Sequence, residues 1–191
     1  VLFRSSAIWA SVGIGIVNVV FTVISLYLVD RIGRRKLYFI GLSGIAFSVL
    51  CLSACFIYAN QLGEIGRWLM VIFMFGYVAF FAISIGPLGW LVISEIFPQK
   101  VRGLGTSIGS LAVWIFNCIV SFTFFKIIDF FSIPGTEIVV GQTTSENPAG
   151  AFFLYGFIAV LGLVWGYLFL QETKGLSLEE IEQKWRKNRE C

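Results

Sequence analysis

The sequence predicts an all-α integral membrane protein with five transmembrane helices. Three observations carry this prediction. Of the 191 residues, 58% are hydrophobic and only 13% are charged, whereas soluble domains carry about 25% charged residues. The charges are segregated, so that residues 5–29, 37–63, 68–94, 103–125 and 147–171 contain none. Each of these runs is 23 to 27 residues long, and a helix needs about 20 apolar residues to cross a bilayer. Five buried helices of a soluble protein would leave nothing to form a polar surface. Barrel strands would be about 10 residues long with alternating polarity, a pattern this sequence lacks.

The first run, 5–29, holds Ser11, Gly15, Asn18, Thr22 and Ser25 at spacings of four, three, four and three, which is one face of a helix. The basic segment DRIGRRK follows at 30–36. The second run contains Cys51 and Cys55 one turn apart, which read as buried structural thiols rather than a disulfide framework. The third run contains Gly86-Pro87 and then Trp90. Proline removes a backbone donor and clashes with the carbonyl four residues back, so a kink is expected there. Such breaks are tolerated where the helix lines a cavity and its freed groups find partners. A kink beside a cavity Trp suits a moving gate; a static kink with an interfacial Trp is the alternative. Glu95 closes this run, ahead of Lys100 and Arg102. Glu95, Arg102 and the 30–36 segment are expected to form a network of charge-assisted hydrogen bonds, against the alternative of a solvated basic loop. The fourth run repeats a polar stripe with Ser110, Trp114, Asn117 and Ser121. Residues 132–150 read as a polar outer loop. The last run ends at Gln171, and 177–188 reads as an amphipathic helix with Ser177 as N-cap and Glu180 at the capping-box position.

Small and hydroxyl residues on the stripes are also common packing contacts between helices. The amides differ, because an unpaired Asn in hydrocarbon is far more costly than a Ser. Two Asn on two stripes favour a shared hydrated cavity. Asn offers donor and acceptor together, and Trp offers a flat apolar face. Without charge, that pairing suits a sugar or polyol and suits an ion, phosphate or amino acid poorly. With no His and no clustered acids or thiols inside the runs, a metal site is not expected. No cofactor and no nucleic-acid partner is expected either. Eleven basic residues fall on the side of 30–36, 95–102 and 171–191, against three on the other; the positive-inside rule makes the first side cytoplasmic, with the C-terminus on it.

DRIGRR (30–35), AFFAISIGPLGW (79–90), SEIFPQKVRG (94–103) and ETKGLSLEEIE (172–182) resemble the sugar porter family of the major facilitator superfamily, and IVNVVFTV (16–23) resembles its eighth helix. Within that family the sequence resembles the bacterial xylose–proton symporter-like members. The resemblance implies that the five runs correspond to helices 8–12 of a twelve-helix fold. Residues 1–171 would then be a partial C-terminal transmembrane half, and 172–191 a cytoplasmic tail with a short helix. It implies that Asn18, Phe81, Trp90, Trp114 and Asn117 contact the sugar. Asp30, Arg34, Arg35, Glu95, Arg102 and Glu172 would form the cytoplasmic charge network, with Gly86 and Pro87 at the gate. Two departures matter: Gln171 stands where the family has Pro, and the seventh helix with its sugar ligands is absent. The expected function is transport of a monosaccharide, hexose or pentose, by alternating access and proton-coupled symport, in a plasma (inner) membrane. An uncoupled sugar or polyol carrier and a transporter-like sugar sensor are the alternatives. No enzymatic step is expected. A start at Val1 and an odd number of runs predict a truncated chain whose N-terminal half is missing.

Overall fold

The structure is a computed structural model that describes residues 2–97, 101–131, 138–140 and 143–170, with side chains at 11–94, 97, 101–131, 146–168 and 170. The tail at 172–191, with its expected helix, and Glu172 lie outside the described residues.

The chain runs through α1 (Leu2–Ile32), α2 (Arg34–Ile57), α3 (Ala59–Ile83), α4 (Ile85–Ile96) and α5 (Arg102–Phe130). A short antiparallel pair follows, β1 (Ile138–Val140) and β2 (Thr143–Ser145), and then α6 (Ala149–Phe169). Among the described residues, five helical segments are long and apolar enough to cross a membrane, with α3 and α4 together making one of them. Val, Ile and Phe dominate these helices although they are mediocre helix formers in water; in lipid the helix is retained because it satisfies every backbone group internally. The loop between α5 and α6, read from sequence as polar, contains the β1–β2 ladder with Ile138 opposite Ser145.

Gly33 alone separates α1 from α2, at φ 96. That left-handed conformation suits glycine, and it lets the chain reverse across one residue. α2 is the central helix, packed on α3 and on α6. Its Leu42, Ile45, Ala46 and Val49 form the core with Ala159 of α6, against partly buried Phe80, Phe152 and Tyr155. Close approach is achieved with glycine: an added Cβ at Gly44 would lie 2.3 Å from the Phe80 ring.

The α2–α6 contact is pinned by polar groups at both ends. Tyr38 Oη donates to the Gly162 carbonyl at 2.8 Å, and buried Ser53 donates to the Ala149 carbonyl at 2.8 Å. Buried Asn147 donates to the Phe56 carbonyl near the end of α2 and accepts from the Ala149 amide, both at 3.0 Å. α5 lies at the other extreme, with Gly105 its one buried residue.

The third span breaks earlier than the Gly-Pro pair suggested. The interruption is at Ser84 (φ −123, ψ −85), between α3 and α4. Pro87 therefore sits in the first turn of α4, where proline is best tolerated. The carbonyl that Pro87 cannot serve, that of Ile83, accepts a hydrogen bond from the Ser25 hydroxyl of α1.

Candidate functional site

The five residues expected to contact sugar all sit on open faces. Asn18 of α1 and Asn117 of α5 are exposed within their spans. Phe81, Trp90 and Trp114 are 39%, 50% and 67% exposed. None comes from α2 or α6, the two helices that form the core with each other. α4 packs against both α1 and α5, so Trp90 stands on the helix between those that carry the amides.

The amides keep unused hydrogen-bonding capacity. The Thr22 hydroxyl donates to the Asn18 backbone carbonyl at 2.8 Å and lies 3.2 Å from Asn18 Oδ1. Asn18 Nδ2 has no partner among the described residues. Asn117 Nδ2 donates to the Val113 carbonyl at 3.0 Å; its Oδ1 accepts nothing among the described residues. One exposed face thus offers donors and the other an acceptor, with flat aromatic surface on α3, α4 and α5. Tyr77 and Phe81 are stacked at 6.3 Å, and the Phe81 ring lies against Gly86, where an added Cβ would meet it at 3.3 Å. Phe81 and the start of α4 are therefore coupled sterically across the break.

The α1 stripe divides. Ser11, Gly15 and Asn18 are exposed, whereas Ser25 is fully buried and bonded to Ile83. Ser25 makes the helix–helix contact that small hydroxyl residues on such a stripe commonly make, here between α1 and the α3–α4 break.

At the end of the bundle carrying the basic segment, Asp30 is exposed and makes no ion pair among the described residues, while Arg34 and Arg35 are partly buried. Arg35 Nη2 donates to the Tyr167 carbonyl at 3.2 Å, a cation at the negative end of α6. Arg31 lies over the Tyr27 ring at 4.4 Å, within cation–π range. Arg102 Nε donates to the Phe97 carbonyl at 3.5 Å, and its Nη2 is buried without a partner among the described residues. Glu95 is on the last turn of α4, and its side chain lies outside the described residues. The ion pair between Glu64 and Arg67 is at the opposite end, exposed and 3.1 Å long, and such pairs contribute 0–1 kcal/mol.

Sequence reasoning missed Ser84, Ser53 and Asn147. Asn147-Pro148 carried a turn signal; nothing in the pattern around Ser53 distinguished it from any other small residue in a span.

The family model described as sugar (and other) transporter matches residues 1–185. The chain belongs to that family. It is a multi-pass integral membrane protein with the major facilitator fold, and its matches are transporters rather than enzymes. It is 33% identical to the D-xylose-proton symporter of Escherichia coli (strain K12), over 94% of this chain and 34% of that protein. It is 34% identical to the glucose facilitated diffusion protein of Zymomonas mobilis, over 95% of this chain and 35% of that one. Among solved structures it is similar to the proton:xylose symporter XylE bound to 6-bromo-6-deoxy-D-glucose. The TM-score there is 0.78 at 31% identity, covering 95% of this chain and 35% of that one. The chain spans about a third of the length of the curated relatives it matches.

Proposed function

We propose that the chain is the C-terminal part, helices 8–12, of a monosaccharide transporter that works by alternating access. The observation that carries this reading is the placement of Asn18, Phe81, Trp90, Trp114 and Asn117. All are exposed at membrane depth on helices outside the α2–α6 core. The amides bond sugar hydroxyls at about 1 kcal/mol per bond, and the aromatics stack on the C–H faces of the ring. Lipid and the N-terminal half of the same transporter complete the surroundings. Gly86 and Pro87 stand at the gate. Asp30, Arg34, Arg35, Glu95, Arg102 and Glu172 hold the outward-facing state. The membrane is the plasma membrane, with 30–36, 95–102 and the C-terminus cytoplasmic.

Proton-coupled symport is supported by the similarity to the xylose–proton symporter. Uncoupled carriage is the second reading, supported by the similarity to the facilitated diffusion protein. On either reading, Asp30 and Asp129 stand at helix ends, so a proton acceptor at mid-membrane would come from the N-terminal half.

The test is calorimetric sugar binding to the complete transporter. Trp90→Ala is expected to weaken binding about tenfold, from lost stacking of about 0.5–1.5 kcal/mol and lost apolar burial. Asn18→Ala should weaken it too, and the pair should be non-additive because both touch one sugar. Unchanged affinity in Trp90→Ala would reduce that residue to an interfacial anchor.

A further inference from the structure

Pro87 lies four residues after Ile83. In an unbroken helix the amide at 87 would donate to the Ile83 carbonyl; proline has no amide proton, and its ring disfavours that geometry. A carbonyl left bare in a dry interior is costly. The Ser25 hydroxyl takes the place of the missing donor. It comes from a different helix, 58 residues away in sequence, and Ser25 is fully buried.

The surroundings of the break leave little else to hold it. The Ser84 amide is shared between the Phe80 and Phe81 carbonyls, each at 3.2 Å, and Leu88 N donates to the Ser84 carbonyl at 2.9 Å. The Ser84 hydroxyl is buried with no partner among the described residues. Apart from these backbone bonds, Ser25 to Ile83 is the side-chain hydrogen bond among the described residues that ties the break to a neighbouring helix.

We propose that Ser25 is a positioning residue. Its hydroxyl substitutes for the hydrogen bond that Pro87 deletes, latches the α3–α4 break to α1, and so sets the angle at which α4 presents Trp90. Its consequence for sugar rests on the function proposed above; the latch itself does not. A hydroxyl is a donor that can be withdrawn and remade as α4 tilts. A backbone amide in a continuous helix would forbid the tilt.

The test is a double-mutant cycle between Ser25→Ala and Pro87→Ala. Hydrogen–deuterium exchange of the 83–91 segment is read on the purified protein in lipid nanodiscs, without sugar. Ser25→Ala is expected to raise exchange about five- to tenfold, the scale of one net hydrogen bond. In the Pro87→Ala background the restored amide serves Ile83, so adding Ser25→Ala should change exchange less than twofold. An equal increment in both backgrounds, or none in either, overturns the latch. A second readout separates positioning from mere packing. In the transporting protein Ser25→Ala should raise the sugar KM severalfold with turnover less affected, and Ser25→Thr, which keeps the hydroxyl, should restore the KM. An unchanged KM overturns the positioning role. The expected exchange pattern in a protein that binds no sugar would uphold the latch and refute the transport reading alone.

Discussion

Replacing Gly41 with alanine tests how tightly the break is held from behind. An added Cβ would lie 1.6 Å from Ser84 Oγ, 2.2 Å from Ser84 Cβ and 3.1 Å from the Phe80 carbonyl oxygen. The hydroxyl could rotate away, but Cβ is fixed to the backbone. Carbon atoms pack at about 3.5–4.0 Å, so α3 must retreat from α2 by about 1 Å or more. Overpacking of this kind costs about 1–3 kcal/mol. Alanine also gains about 0.5–1 kcal/mol over glycine within a helix, which partly hides the clash. Gly15→Ala supplies the correction, because nothing lies within 4 Å of a Cβ there. The difference between the two variants cancels helix propensity and should be about 1–3 kcal/mol. Thermal unfolding in detergent, followed by monodispersity on gel filtration, reads it. Gly41→Ala should melt several degrees below Gly15→Ala. Coincident melting curves would refute the reasoning, since Ser84 would then not be pressed against α2.

Three further outcomes are expected. Glu95→Gln in the complete transporter should impair uptake more than folding and shift the conformer balance toward inward-facing; unchanged uptake and unchanged binding of a conformer-selective inhibitor would make Glu95 a solvated surface residue. Asn147→Ala strands the Phe56 carbonyl and the Ala149 amide, and should destabilise the α2–α6 pair by about 1–3 kcal/mol, read as a lower melting temperature. A cysteine at exposed Lys36 should resist an impermeant reagent applied outside intact cells; rapid labelling there would invert the topology.

The span pattern was legible because it follows from one constraint: a lipid-facing backbone must be helical and uncharged, and charges collect where helices end. The amides of α1 and α5 were legible for the same reason, since polar groups in hydrocarbon are costly enough to stand out. Periodicity could not say which stripe residues find partners. Ser25 and Asn18 share one face by spacing, yet one is fully buried and the other exposed; only the position of the α3–α4 break distinguishes them. The break itself was placed two to three residues late, because proline marks where an amide is missing rather than where the backbone turns. Here the turn falls at Ser84, upstream, and the Ile83 carbonyl that Pro87 leaves without a helical amide is served by the Ser25 hydroxyl instead. The ties made by Ser53 and Asn147 depend on α6 returning to α2 across more than 90 residues of sequence, and no local pattern encodes them.

The contrast between Ser25 and Asn18 bears on what covers the open faces. Both are polar groups at membrane depth on α1. The Ser25 donor is paired, and its burial follows from that pairing. Asn18 keeps two N–H donors, and Asn117 an acceptor, without a partner among the described residues. Left against lipid tails, each unpaired amide would cost several kcal/mol. A membrane protein retains such residues where water, another polar helix or a polar ligand meets them. Trp90 and Trp114, exposed on neighbouring α4 and α5, are amphipathic and tolerate both an apolar and a wet neighbour. We propose that the open faces that carry the amides turn toward a polar interior rather than toward lipid. The apolar residues exposed elsewhere on α1 and α5, such as Val19, Val23, Phe122 and Phe125, need no such covering.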